Sequence, residues 1–253
     1  MKKGLWTLLL ILPLISKAQI SCPAFGRMQN YEQFEVLLTW NTVEPFHNVG
    51  GIDLDNDTYQ LGDYTDQSIA PGITFNFYPD ESTILRLKGI YTARNIHYTA
   101  NVSDTFGNGV NIDTKLEQTL FKIAPGFGWI YFVSRFSFYG GFELPYTYHS
   151  DLTITEKEID SVLGSTIESN SKTTVPGGFS IGLGCFAGST FYFPSLLGVG
   201  FEVSSAYQYS KLGGDIVGNG TSNGVTFGSA YADQKTLWKF SPVMASLHLS
   251  IRF

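Results

Sequence analysis

The feature that most constrains this chain is a two-residue alternation that returns in segment after segment. In the closing octet SLHLSIRF, Leu247, Leu249, Ile251 and Phe253 share one face of an extended strand, and Ser246, His248, Ser250 and Arg252 share the other. Near 31–41, Phe34, Val36, Leu38 and Trp40 stand against Gln33, Glu35 and Thr39. Near 68–78, Ile69, Ile73, Phe75 and Phe77 share a face. After a short PDES break, Leu85, Leu87, Tyr91 and Ala93 alternate with Arg86, Lys88, Thr92 and Arg94. A fourth segment, near 117–133, turns Phe121, Ile123, Phe127, Trp129 and Tyr131 one way. The fifth sets Phe136, Phe138, Phe142, Leu144 and Tyr146 against Ser137, Gly141, Glu143 and Thr147. The sixth, near 174–187, opposes Phe179, Ile181 and Leu183 to Ser180, Gly182 and Gly184, and the seventh opposes Phe201, Val203 and Tyr207 to Glu202, Ser204 and Gln208. With the last segment, from about 235 to 253, eight strands are expected.

The breaks between them alternate in length. Polar, turn-forming stretches at 42–66, 99–116, 150–173 and 210–234 are read as four long loops, and short breaks fall near 79–82, 133–135 and 191–197. One end of the structure thus carries four loops and the other three tight turns, the layout of a bacterial outer-membrane barrel. The expected fold is all-β: a closed antiparallel up-and-down transmembrane barrel of eight strands, or ten if 151–173 adds a hairpin. Prolines recur early in the even-numbered strands, in APGITF at Pro71, APGFGW at Pro125, VPGGFS at Pro176 and SPVMAS at Pro242, and predict bulges or strand edges near the long-loop rim. A bulge at Pro242 would turn Trp238 and Phe240 outward, which parity counted back from Phe253 does not.

A soluble β-sandwich also alternates, so composition decides between them. Charged residues make up only 15% of the chain while aromatics reach 15% and Gly numbers 27, so a sandwich would have to show water a face of Gly, Ser and Thr with few charges. In a barrel the apolar face meets lipid, the polar face fills the lumen, and closure leaves no unpaired edge in hydrocarbon. Trp40, Phe77, Trp129, Tyr131, Tyr146, Tyr148, Tyr207 and Tyr209 lie at strand ends, as interfacial girdles require. Lys2, Lys3, the apolar run Leu5–Ile15 and the small residues Ser16 and Ala18 predict a secretory signal peptide over 1–18, leaving a barrel domain over 19–253. Losing Lys2, Lys3 and Lys17 takes the formal net charge from −6 to −9, which excludes nucleic acid as a partner. Cys22 and Cys185 fit neither a disulfide framework nor a metal site.

The leader, the eight alternating strands, the PG-bearing even strands and the terminal LHLSIRF together resemble the small Gram-negative outer-membrane β-barrel family of outer membrane protein A-like and porin-like proteins. The resemblance spans nearly the whole mature chain and rests on patterns rather than on single diagnostic residues. It implies an outer-membrane location, outer-membrane lipids as surroundings, and Phe253 as an assembly signal read by the barrel-assembly machinery. No periplasmic peptidoglycan-binding domain is expected after the barrel.

The inward faces gather Glu35, Arg86, Lys88, Lys122, Glu143, Glu202 and Arg252. Eight strands enclose a lumen just wide enough for side chains, so these charges are expected to pair across it or meet trapped water. His248 and Ser250 form an H-x-S pair reminiscent of outer-membrane lipid A deacylases, yet parity puts both in the lumen, and nucleophilic catalysis would need them on the lipid face beside a carboxylate. Asp53, Asp55 and Asp57 begin like a calcium loop, but Thr58 and Tyr64 stand where Gly and the bidentate Glu belong. His47, His97 and His149 are read as surface residues near the long loops. No catalytic residue, metal or cofactor is expected. The leading function is a non-enzymatic barrel with a structural or surface-interaction role and an unidentified extracellular ligand held by its loops. The alternatives are a narrow porin or solute channel and a lipid A-modifying enzyme.

Overall fold

The computed structural model describes residues 34–43, 62–66, 68–103, 109–162, 165–194 and 196–253. The segment expected to be a signal peptide, Cys22, His47 and Asp53–Asp57 lie outside them. Thirteen strands occupy the described residues: β1 (Phe34–Asn41), β2 (Gly62–Asp66), β3 (Pro71–Phe77), β4 (Thr83–Ser103), β5 (Gly109–Val133), β6 (Phe136–Glu143), β7 (Tyr146–His149), β8 (Leu152–Val162), β9 (Ser165–Val175), β10 (Gly178–Tyr192), β11 (Leu197–Ser222), β12 (Val225–Phe240) and β13 (Met244–Arg252). Every pairing is antiparallel. β1 pairs with β3, β3 with β4, β4 with β5, β5 with β6 and β7, these two with β10, β10 with β11, β11 with β13, and β13 with β1. The sheet closes on itself with eight positions around the ring. At the short-turn end the Phe253 N–H donates to the Phe34 carbonyl at 2.9 Å across the seam.

The remaining strands lengthen this ring instead of widening it. β8 pairs with the upper part of β5 and continues β7, β9 pairs with β8 and β11 and leads into β10, and β12 pairs with β11 and leads into β13. The hairpin at 151–173 therefore adds no ring position, and the count is eight, not ten.

The loop expectation needs correction. Three of the four stretches read as long loops are largely ladder: β4 and β5 stay paired to Ser103 opposite Gly109, β8 and β9 to Val162 opposite Ser165, and β11 and β12 to Ser222 opposite Val225. Of 42–66, Gly62–Asp66 forms β2 against β4. The physical reason is a change of solvent along the strand: beyond the bilayer the outer face meets water, so Ser, Thr, Asp and Lys there mark a wetted sheet and not a turn. The β11–β12 tip is a two-residue turn in which Asn223 (φ 49°) and Gly224 (φ 80°) both occupy the left-handed region, the type I′ signature. Gly224→Ala is expected to cost about 1 kcal/mol at this tip, read as a lower thermal midpoint of unfolding in detergent.

The prolines divide. Residues 241–243 stand opposite only Ser205 and Ala206 between the pairs Tyr207 with Phe240 and Ser204 with Met244. That extra residue is a bulge, and it turns Trp238 and Phe240 outward to 63% and 76% exposure. Pro176 falls in the gap between β9 and β10, and Pro71 opens β3. Pro125 departs from the expectation: it lies inside an uninterrupted β5 opposite Leu87. The interruption comes on the neighbouring wall, at Pro145 between β6 and β7, while the Pro125 carbonyl still accepts from the Leu144 N–H at 2.9 Å. In the short turn before β4, Asp80 Oδ1 accepts from the N–H groups of Ser82 and Thr83, both at 2.8 Å, and from Ser82 Oγ at 2.9 Å. These bonds, that of the Ser82 N–H foremost, hold the Asp80 carboxyl below its ordinary range.

Candidate functional site

The ring's two faces differ in kind. Outward point Phe34, Trp40, Phe75, Leu85, Leu87, Phe121, Phe127, Trp129, Phe138, Phe142, Leu183, Phe201, Leu247 and Leu249, each at least 41% exposed. The apolar band from Tyr131 to Phe121 on β5 is roughly 25 Å tall at ~3.3 Å per residue and ~40° of tilt, the height of an outer-membrane barrel's lipid belt. Aromatic clusters rim it. At the short-turn end Phe34 packs on Phe77 (ring centroids 5.1 Å) and Phe136 on Phe191 (5.0 Å); at the other end Trp238 packs on Tyr207 (5.5 Å) and Tyr209 (5.0 Å). Among the described residues no second sheet covers this apolar surface, and the single sheet closes on itself, which is not a sandwich. The fold is an outer-membrane-type β-barrel.

The chain is similar to the outer membrane protein OprG of Pseudomonas aeruginosa, at 13% identity over 87% of this chain and 96% of that one with a TM-score of 0.41. It is also similar to Neisserial surface protein A (NspA), at 14% identity over 87% and 97% with a TM-score of 0.33. No protein-family model and no curated protein matches it.

Inside the ring lies the candidate site. Glu35, Arg86, Lys88, Lys122, Glu143, Glu202 and Arg252 are all buried on the lumen face. They do not form one network. On β11, Glu202 takes a two-pronged ion pair from Arg86 of β4, at 2.8 and 3.1 Å, and a second cation, Lys88, at 3.0 Å. The Arg86 guanidinium also lies 4.0 Å from the centre of the Phe186 ring, so the charge sits between a carboxylate fork and an aromatic face.

A second cluster closes the short-turn end. Glu35 of β1 accepts hydrogen bonds from the Tyr78 hydroxyl, from Asn76 Nδ2 at 2.9 Å and from the Tyr192 hydroxyl at 2.8 Å. Arg252 Nε approaches Glu35 Oε1 at 3.9 Å, and its guanidinium sits 4.5 to 5.0 Å from the ring centres of Tyr192, Phe132 and Tyr78. Two predicted residues take no part in these hydrogen bonds: Lys122 Nζ reaches Met244 Sδ at 3.7 Å, and Glu143, across Gly126 from Arg86, has an Oε2 with no hydrogen-bond partner among the described residues.

The H-x-S pair is also in the lumen. His248 Nε2 hydrogen-bonds Thr190 Oγ1 at 2.9 Å rather than Ser250. Gly198 and Gly200 on β11 make room for the pair, since a Cβ at Gly200 would stand 2.5 Å from His248 Nε2 and one at Gly198 2.5 Å from Ser250 Oγ. The surface reading of His149 was wrong: it is 3% exposed, with Nε2 at 3.0 Å from Ser180 Oγ, which in turn lies 2.8 Å from Ser210 Oγ. It continues the inward row of Ser137, Glu143 and Thr147, a signal the sequence carried. His97 is half exposed and pairs with Asp113. Cys185 is an exposed free thiol on the outer wall. Sequence reasoning also missed Arg94, buried on the same face of β4 as Arg86 and Lys88, and Tyr78 and Tyr192, which come to Glu35 from far along the chain.

Above the bulges the lumen changes character. Ile96, Leu116, Leu152, Ile154, Val175, Leu212 and Ile216 form a buried apolar cluster contributed by β4, β5, β8, β9 and β11. A cavity lined by Leu152, Val175 and Leu212 of this cluster and by Gln118, His149, Pro176 and Gly177 holds about 10 Å3, barely the room of one water molecule.

Proposed function

We propose that the protein is a non-enzymatic outer-membrane barrel with a closed lumen, serving a structural or surface-interaction role through the β-structure that stands outside the membrane. The filled interior carries this reading: paired charges occupy the middle and short-turn end, and an apolar layer occupies the other. A side-chain-filled lumen is what eight strands allow. The part of β11 from Tyr209 to Ser222 rises roughly 30 Å at ~3.3 Å per residue and ~40° of tilt, which puts the Asn223–Gly224 tip well beyond the lipid headgroups. An extracellular partner would meet these polar sheet faces and hairpin tips.

Purified protein refolded in detergent is expected to migrate differently on a gel when unheated and when boiled, and to give no stepwise current in planar bilayers. Unchanged migration would overturn the closed barrel, and clear single-channel steps would favour the narrow channel. Phe253, exposed at the foot of β13 and bonded to Phe34, is proposed as the residue the barrel-assembly machinery reads. Deleting it is expected to lower the folded fraction in cells severalfold while the purified variant still refolds in detergent; equal folded fractions in cells would remove that role.

A further inference from the structure

On five of the ring's walls the two faces change character at one level. Below it the inward rows carry Arg86, Lys122, Glu143, Ser180 and Glu202, with Ile84, Ile90 and Ala124 among them, while the outward residues are Phe, Leu, Ile and Tyr. Above it the inward residues are Ile96, Leu116, Leu152, Ile154, Val175 and Ile216, and their neighbours along the strands, among them His97, Lys115, Glu117, Thr155 and Asp215, face water. On β4, β5 and β11 the inward parity runs through this level unbroken, and on the other two walls a backbone device accompanies the change. On the wall formed by β7 and β8 the inward parity switches from Thr147 and His149 to Leu152 and Ile154 across Ser150–Asp151, where three residues, 150–152, oppose Gln118 and Thr119. On the next wall it switches from Ser180 to Val175 across Pro176–Gly177. The Asp151 carboxylate accepts from the Gly177 N–H at 3.0 Å, and the Thr119 N–H donates to Ser150 Oγ at 2.9 Å, so both switch points are tied.

We propose that this layer is a membrane-external apolar seal that bars solvent from the polar lumen, so that the hydrogen-bonded row His149, Ser180 and Ser210 beneath it is dry from the loop side although the ring there is lined with polar groups. The proposal rests on the barrel reading above. Three of the seven aliphatic side chains, Leu152, Val175 and Leu212, line with Gln118 and His149 a cavity of only about 10 Å3, barely the room of one water, and an apolar constriction of this kind dewets.

The test places a thiol under the seal. In a background lacking Cys22 and Cys185, Ser180→Cys is expected to react slowly with a membrane-impermeant maleimide added to folded protein in liposomes. Adding Ile154→Ser and Ile216→Ser is expected to raise the labelling rate about tenfold or more, because access then no longer requires local opening of packed side chains. A folded double variant that labels at the parent's rate overturns the proposal, as does fast labelling with the seal intact. If the double variant lacks the unheated gel mobility of the folded barrel, Val175→Thr, which keeps the side-chain shape, carries the same test with an expected rise of about threefold, and an unchanged rate overturns the proposal. Failure of the barrel reading is separately visible, because the parent itself would then show no heat-dependent mobility.

Discussion

Glu202→Ala is expected to cost about 3–5 kcal/mol of folding stability, because it strands two cations in the lumen at once. Arg86 loses both prongs of its fork and Lys88 its only described carboxylate. Both are buried on the inner face of β4. Denaturant titration in detergent micelles, followed by tryptophan fluorescence, gives the number. The companion variant is the more informative one. Replacing the whole group at once, with Glu202→Leu, Arg86→Met and Lys88→Met, removes the desolvation penalty along with the attraction and is expected to be close to neutral or mildly stabilising. A single Glu202→Ala cost below about 1 kcal/mol, the range of a solvated surface pair, would show that the lumen is wet enough to hydrate the two cations.

Phe142→Arg is expected to destabilise the barrel by about 2–4 kcal/mol in lipid, the cost of a cation near the bilayer midplane on the lipid face of a β-barrel. Phe142 is 54% exposed at the middle of the outer wall and packs edge-on against Trp129 at 6.4 Å. The same change at Tyr148, on the upper aromatic rim, is expected to cost only about 0–1 kcal/mol. In a water-soluble protein the order would collapse, since an exposed Phe replaced by Arg is then nearly free. Equal, small costs at both positions would therefore remove the membrane from the account.

The wall was legible from sequence because its rule is local. Parity along each segment placed Glu35, Arg86, Lys88, Lys122, Glu143, Glu202 and Arg252 on the inner face, and a single bulge at Pro242 sufficed to place Trp238 and Phe240 outside. What was not legible depended on who meets whom across the lumen. Nothing in the chain near Glu35 points to Tyr78 or Tyr192, and nothing near Lys122 says that it meets Met244 while Glu202 collects two cations. The polar segments at 150–173 and 210–234 misled for a different reason: a strand in water and a loop in water share a composition, and at 150–173 only the alternation of Leu152 and Ile154 with Thr153 and Thr155 separates them. The exposed Asp113, Lys115 and Glu117 of β5 belong to the same class.

The seam between β1 and β13 has a bearing on how the molecule comes into being. Val36 sits beside Ile251 and Leu38 beside Leu249, so the first wall segment waits for the last-synthesised one before either has both neighbours. The ring cannot be completed piecemeal from β1, and the pairing of two strands so far apart along the chain is expected to be a slow step of its folding.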